Sequence, residues 1–117
     1  MRRLIERITP ILLAVTILTP RAGVNWFNDG LTIHKETYYN LNMKRVIRNA
    51  ANNGITGIYQ ERADGVKTYN NLVIVAANQS RHPYGSVVMT SLGPGIVLDT
   101  GSFARSNPEQ YDIAVTW

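Results

Sequence analysis

The stretch Leu72-Val-Ile-Val-Ala-Ala77 is a continuous apolar run of strand length, with asparagines before and after it. A run without polar alternation indicates a strand that is buried on both faces. Turn residues separate this run from three more strand-like stretches, Ser86–Thr90, Gly95–Asp99 and Gln110–Trp117. The second half of the chain is therefore predicted to be β-structure built around residues 72–77.

The residues ahead of this run predict a linker, a strand and a hairpin. Gly23–Gly30 is rich in turn formers and is interpreted as a loop or linker. Leu31–Tyr39 is rich in Thr, Ile and Tyr and is predicted as a strand. Gly57–Arg62 and Val66–Tyr69 are predicted as a hairpin, because the intervening Asp64-Gly65 supplies the positive φ of a tight turn.

One helix is predicted, over about residues 43–53. Its apolar residues recur at helical spacing and form a single stripe: Met43, Val46, Ile47, Ala50 and Ala51. Gly54 follows, and glycine accepts the left-handed conformation in which many helices end. Five or six short strands with one helix predict a mainly β domain, a small closed or partly closed β-barrel.

The composition excludes several classes of function. The chain has 117 residues, 44% hydrophobic and 17% charged, which suits one domain with one core. Its net charge is +4, but residues 1–22 carry four arginines and one glutamate, so only +1 falls on the rest. We therefore expect no nucleic-acid partner. Because the chain has no cysteine, and His34 and His82 show no metal-ligand spacing, we expect neither a metal nor another cofactor.

Residues 1–22 have the three-part layout of a secretory signal. Arginines come first, the apolar run Ile11–Leu18 follows, and a short region with small residues comes next. This run is far shorter than the roughly 20 apolar residues that span a bilayer, so we expect export or shallow membrane association. An ordinary amphipathic first helix is the alternative. A single domain is assigned to residues 23–117.

Asp99 is the sharpest candidate for chemistry. It stands where the apolar stretch Gly95–Leu98 meets a glycine turn, which can hold a carboxylate partly out of water and raise its pKa. A turn-capping role explains the pattern equally well. Asp99-Thr-Gly-Ser102 is also similar to the catalytic loop of aspartic proteases, but only 16 residues follow Gly101, too few for the rest of that fold.

A longer resemblance covers the last third of the chain. It consists of three blocks in order, Val75-Ala-Ala-Asn78-Gln-Ser-Arg-His-Pro-Tyr-Gly85, Ile96-Val-Leu-Asp99-Thr-Gly101 and Tyr111-Asp112-Ile-Ala-Val115. These blocks resemble the carboxy-terminal half of the 3D domain, named for three aspartates. That family occurs in Gram-positive cell-wall proteins related to MltA-type lytic transglycosylases.

The resemblance implies a small six-stranded double-psi β-barrel whose groove binds peptidoglycan glycan strands. Asp112 would act as general acid and then base, protonating the glycosidic oxygen before the sugar's own 6-hydroxyl attacks to give a 1,6-anhydro product. Asp99 would support it, Gly101 would shape the loop, and Asn78 and Thr100 would also contact substrate. The protein would then be secreted or associated with the cell wall, with the cytoplasm as the alternative location.

Three positions depart from the family pattern. Asn78 stands where the first aspartate is expected, Gln79 replaces the usual proline, and Ser102 replaces the second glycine of the middle block. Fewer carboxylates mean less like-charge repulsion, so a raised pKa is harder to reach. The alternative is therefore a barrel that has lost catalysis and binds peptidoglycan or a partner. Without the resemblance, Asp112 is more simply a solvent-facing residue of an edge strand.

The remaining candidates are interpreted as structural. Glu36, Glu61 and Glu109 have polar neighbours and are expected to solvate the surface. The two histidines have no evident partner. Five aromatic residues could stack on sugar rings, although such residues more often fill the core and rim of a small barrel: Trp26, Tyr38, Tyr39, Tyr59 and Tyr69.

Overall fold

The computed structural model describes residues 23–117, which form a mainly β domain of eight strands and two helices. The signal or anchor segment predicted for residues 1–22 lies outside the described residues. The strands are β1 (Asn25–Asn28), β2 (Ile33–Tyr39), β3 (Tyr59–Glu61), β4 (Lys67–Tyr69), β5 (Leu72–Ala76), β6 (Val87–Thr90), β7 (Gly93–Asp99) and β8 (Tyr111–Ala114). The helices are α1 (Lys44–Asn52) and α2 (Phe103–Ser106).

Most of the predicted elements are confirmed. The helix predicted over about residues 43–53 is α1, and the predicted hairpin is β3 with β4, in which Tyr59 lies opposite Tyr69. Gly65 makes the turn with a φ of 85°. Its Cβ, if it had one, would lie 2.6 Å from the Trp117 side chain, so both conformation and space require glycine there.

Two predictions of secondary structure are wrong. Residues 25–28 are not a linker but β1, which pairs with β2 in antiparallel register and places Trp26 opposite Lys35. The turn formers Asp29 and Gly30 make the reversal between these two strands, which is why the composition suggested a loop. The second error is α2, a four-residue helix where only turns were predicted.

Strand pairing places β5 and β8 at the centre of the sheet. The order is β1-β2-β8-β5-β4-β3, and β7 pairs with the other side of β5 and carries β6. The β2–β8 and β5–β7 pairs are parallel, whereas β5 and β8 are antiparallel. Within residues 23–117 the sheet is not closed and has eight strands, so the structure does not show the six-stranded barrel expected from the sequence.

The hydrophobic core consists of two clusters, one on each face of the sheet. On one face, residues such as Val75, Val97 and Ile113 pack with other strand and turn residues. On the other face, α1 packs its buried residues Val46 and Ala50 against the strands. The central strands are therefore covered on both sides, and their ends hold the candidate residues.

Candidate functional site

Asp99 and Asp112 lie on opposite sides of the same residue of β5. Ala76 is the partner of Asp99 in β7 and of Asp112 in β8, so the two Cα atoms are roughly 10 Å apart across two strand spacings. A bulge produces this alignment: Val75 pairs with Val97, but the next residue, Ala76, pairs with Asp99. The extra residue, Leu98, changes the direction of the strand end just before the carboxylate, as bulges do near functional sites.

Asp112 lies in a central strand and is half-buried. β8 runs between β2 and β5, so the interpretation of Asp112 as an edge-strand residue is wrong. The Thr37 hydroxyl donates a hydrogen bond to Asp112 Oδ1 (2.8 Å), and Gln110 Nε2 donates to the Thr37 oxygen (2.8 Å). Burial raises the pKa of Asp112, and the charge of Asp99 raises it further, although the Thr37 bond opposes the shift. Within residues 23–117, Asp112 Oδ2 makes no hydrogen bond, so it can meet a ligand.

Asp99 is held by Tyr39 and by its own turn. The Tyr39 hydroxyl donates to Asp99 Oδ2 (2.9 Å), and the backbone N–H of Thr100 donates to Asp99 Oδ1 (2.9 Å). Burial and the charges of Asp99 and Asp112 raise the pKa of Tyr39 above its usual 10, so the phenol stays protonated and remains a donor. Thr37 and Tyr39 project from the same face of β2. We call Asp99, Asp112, Thr37 and Tyr39 the carboxylate site.

The candidate substrate-binding residues line a neighbouring open groove of about 550 Å³. Asn78, Thr100 and Gly101 are among its lining residues, whereas Asp99 and Asp112 are not. The groove therefore begins one residue beyond Asp99, on the turn that follows β7. A Cβ at Gly101 would lie 3.0 Å from the Phe103 ring, so a larger residue there would require that ring to shift by a few tenths of an ångström.

Asn78 has a structural part in this groove. Its amide nitrogen donates to the Ala104 carbonyl oxygen (3.0 Å), and its amide oxygen accepts from the backbone N–H groups of Ser80 (2.9 Å) and Arg81 (3.0 Å). One side chain thus ties the loop after β5 to α2. An aspartate in its place could accept both backbone bonds but could not donate to Ala104.

A second polar cluster, which no pattern in the sequence indicates, lies beside the amino-terminal end of β8. His34 is buried, and its Nε2 lies 2.7 Å from Asp29 Oδ2 while its Nδ1 lies 2.9 Å from the Glu109 carbonyl oxygen. The Thr32 hydroxyl also lies 2.8 Å from His34 Nε2, so three groups hold the ring in place. His82 Nε2 lies 3.2 Å from Glu109 Oε1, and Arg81 pairs with the same carboxylate. We call His34, His82, Glu109 and Asp29 the histidine cluster.

Tyr111 forms a wall of the histidine cluster. Its ring stacks on His34 with centroids 4.3 Å apart and meets His82 edge-on at 5.1 Å. Burial lowers the pKa of His82, and the nearby charges of His34 and Arg81 lower it further. Hydrogen bonds from Thr32 and Leu31 N–H groups and from His34 hold the pKa of Asp29 well below its usual range. Because His34 and His82 are 48 positions apart, only the pairing of β2 with β8 and the loop after β5 bring them together.

The prediction that Glu36 solvates the surface is wrong. Its side chain is 0% exposed, and its carboxylate accepts from the Ser91 backbone N–H (2.9 Å) and hydroxyl (2.5 Å). Burial raises the pKa of Glu36 above its ordinary value of 4.5. Glu109, by contrast, is partly exposed, and Glu61 is exposed and accepts a hydrogen bond from Tyr59.

The aromatic residues do not form one sugar-stacking platform. Tyr69 is buried in the core, and the Tyr39 hydroxyl is committed to Asp99. Tyr38 is half-buried and stacks at an angle on Trp117, whereas Trp26 is exposed on β1. Trp26 is therefore the most available aromatic face among the five candidates.

Comparisons of the chain with family models, with curated proteins and with solved structures find no match. In residues 23–117, no helix is long and apolar enough to cross a membrane.

Proposed function

We propose that the chain is a 3D-type cell-wall protein that cleaves peptidoglycan glycan strands as a lytic transglycosylase. The observation that carries this proposal is Asp112, a half-buried carboxylate whose pKa is raised by burial and by Asp99. A general acid must hold its proton near neutral pH, and a raised pKa moves a carboxyl group toward that condition. The resemblance of three sequence blocks places the same residue in the acid/base position.

The reaction needs only one acid/base group on the protein. Asp112 donates a proton to the glycosidic oxygen as the bond from the sugar C1 to that oxygen breaks. The 6-hydroxyl of the same sugar then attacks C1, and its proton passes to Asp112, which restores the acid. Because the substrate supplies the nucleophile, a second carboxylate 5 Å away is not needed, in contrast to the two-carboxylate hydrolases, which use separations of about 5–9.5 Å.

Asp99 supports Asp112 electrostatically. Within residues 23–117 no hydrogen bond joins the two carboxylates, and each accepts a hydroxyl from β2 instead. Neither belongs to an ion pair among these residues, so no cation offsets their repulsion. Asp99 thereby favours the protonated form of Asp112.

The double-psi barrel belongs to the same proposal. Its support is the pair of parallel contacts, β2 with β8 and β5 with β7, in a sheet that carries an apolar cluster on one face. In such a fold the strand ends that carry the aspartates gather at one end of the groove. Asn78, Thr100 and Gly101 then contact the glycan beyond the carboxylate site, and export through residues 1–22 brings the protein to the wall.

The test is digestion of purified peptidoglycan by the full chain, with 1,6-anhydro muropeptides detected by mass spectrometry. We expect wild type to release them, Asp112→Asn to release none, and Asp99→Asn to release fewer. Glu61→Gln, which alters an exposed carboxylate in β3, is the matched control. Hydrolytic products with a free reducing end, or anhydro products from Asp112→Asn, would overturn the assignment.

A non-catalytic wall-binding or partner-binding module is the second candidate, and Asn78 favours it. Its amide bonds serve the loop and α2, so the position of the first family aspartate has a structural use here. This candidate predicts a folded protein that sediments with peptidoglycan and releases no products. Substitution of Trp26 or Thr100 would then weaken sedimentation, whereas Asp112→Asn would not.

A further inference from the structure

The histidine cluster brings three potential metal ligands together from three separate segments. His34 lies in β2, His82 in the loop between β5 and β6, and Glu109 in the loop between α2 and β8. One nitrogen or carboxylate oxygen from each residue lies within 4.8 Å of the others. Imidazole nitrogen and carboxylate oxygen together are a donor set that zinc and similar divalent ions take.

We propose that the histidine cluster binds one divalent transition-metal ion of the zinc class, with His34, His82 and Glu109 as ligands. In a tetrahedral site with bonds of about 2.0–2.2 Å, ligand atoms lie roughly 3.3–3.6 Å apart. His82 Nε2 and Glu109 Oε1, at 3.2 Å, already have this spacing. The distances from His34 to the other two ligand atoms are at most 4.8 Å, and both must shorten. The Glu109 side chain is 36% exposed and His82 lies in a loop, so both side chains can make that movement.

The rings are oriented as metal-binding histidines are. Histidine ligands usually donate the other ring N–H to a carbonyl or carboxylate, which fixes the tautomer and aims the free nitrogen at the ion. His34 Nδ1 faces the Glu109 carbonyl oxygen at 2.9 Å, so the ion would bind Nε2, which now contacts Asp29 and Thr32. A hydrogen bond to the Pro108 backbone holds the His82 ring, and Tyr111 packs against both rings.

The charges of the cluster also suit a divalent ion. Asp29 Oδ2 lies 2.7 Å and the Thr32 hydroxyl 2.8 Å from His34 Nε2. An ion bound at this nitrogen replaces these hydrogen bonds, and Asp29 completes the fourth position. Two carboxylates then neutralise the two positive charges, and Arg81, which is 55% exposed, moves from Glu109 to solvent at little cost.

The ion would fix the start of β8. Glu109 precedes this strand by two residues, and Gln110 holds Thr37, the donor to Asp112. Metal binding in this position stabilises the fold whether or not the chain cleaves glycan. The proposal is thus independent of the proposed function.

The test uses the full chain without a polyhistidine tag, stripped with a chelator and titrated with Zn²⁺ alone by calorimetry. We expect one ion per chain with a Kd on the order of 1 µM or tighter, and a higher Tm with the ion bound. His82→Ala and Glu109→Gln should each weaken binding at least about tenfold. Glu61→Gln, a carboxylate outside the cluster, should bind as wild type does.

Co²⁺ supplies a second measurement on the same proteins. A four-coordinate site gives the strong visible absorption of tetrahedral Co²⁺, and this absorption should be lost in His82→Ala. Glu109→Gln preserves the shape of the side chain, so weakened binding in that variant with an unchanged metal-free circular dichroism spectrum reports the ligand and not the fold. Absence of saturable binding to the wild type, or wild-type affinity in both variants, would overturn the proposal.

Discussion

The carboxylate site and the histidine cluster lie on opposite faces of the β2–β8 strand pair, and they give their acidic residues opposite environments. β2 sends His34 and Glu36 to one face and Thr37 and Tyr39 to the other, because successive side chains of a strand alternate. β8 does the same with Tyr111 and Asp112. One parallel strand pair therefore separates two polar sites that are only a few residues apart in sequence.

The difference lies in what each carboxylate faces. Asp29 accepts two backbone N–H groups and a histidine, and these hold its pKa down. Asp112 accepts one hydroxyl, is half-buried and feels the charge of Asp99, so its pKa is raised. An aspartate that is fully satisfied by donors is suited to structure or to binding a cation. An aspartate that is partly buried and has no cation beside it is suited to act as a proton donor.

The largest difference between the two sites is expected in the cleavage assay, where Asp112→Asn is compared with Asp29→Asn. Loss of a general acid should lower the rate of anhydro-product release by about 10²–10⁴-fold, because that is the usual contribution of such a group. Asp29→Asn should cleave at the wild-type rate per folded molecule. Urea unfolding of both variants gives the fraction of each that is folded. Equal losses of rate in the two folded variants would contradict the division into two sites.

The next largest effect is a loss of stability on substitution of Glu36, which lies on the same face of β2 as His34. Glu36→Gln should lower the free energy of unfolding by about 2 kcal/mol, since an amide has one acceptor for the two donors of Ser91. Urea denaturation at pH 7 measures the loss, with Glu61→Gln as the exposed control. A change below about 0.5 kcal/mol, the size typical of surface substitutions, would show that Glu36 is solvated after all.

Asn78→Asp introduces the carboxylate of the family pattern and should destabilise the domain by about 1 kcal/mol. The lost interaction is the hydrogen bond from the amide nitrogen to the Ala104 carbonyl, which would then face an oxygen. Asn71→Asp, in the exposed turn between β4 and β5, is the control. If Asn78→Asp instead left stability unchanged and raised the cleavage rate, the position would belong to the catalytic machinery.

The sequence predicted the local elements better than the site. Apolar runs and helical spacing were enough to predict α1, β5 and the two faces of β8, because burial of one or both faces of an element sets the spacing of its apolar residues. β1 was missed because Asn25 and Asn28 are turn formers by composition. Only pairing with β2 makes them a strand.

The site depended on contacts that no local pattern contains. The bulge at Leu98 sets the position of Asp99, and the alternation of a strand without it would direct the carboxylate differently. His34, His82 and Glu109 meet through strand pairing and two loops, so their spacing along the chain carries no ligand signal. Glu36 has polar neighbours in sequence, yet strand alternation places it inward, opposite Tyr111.

The smallest effect, and the sharpest contrast, is the pH dependence of stability. Asp112 binds its proton more tightly in the folded chain, so its contribution is complete below the unfolded pKa of 3.8 and is lost as the pH rises through the higher folded value. Asp29 has the opposite sign, since its lowered pKa contributes stability above pH 3.8 that is lost as the pH falls.

Between pH 3 and pH 7, the stability of wild type relative to Asp112→Asn should therefore fall with rising pH. Relative to Asp29→Asn it should rise. Urea midpoints of the three proteins across this range measure both slopes, and slopes of the same sign would show that the two carboxylates share one kind of environment.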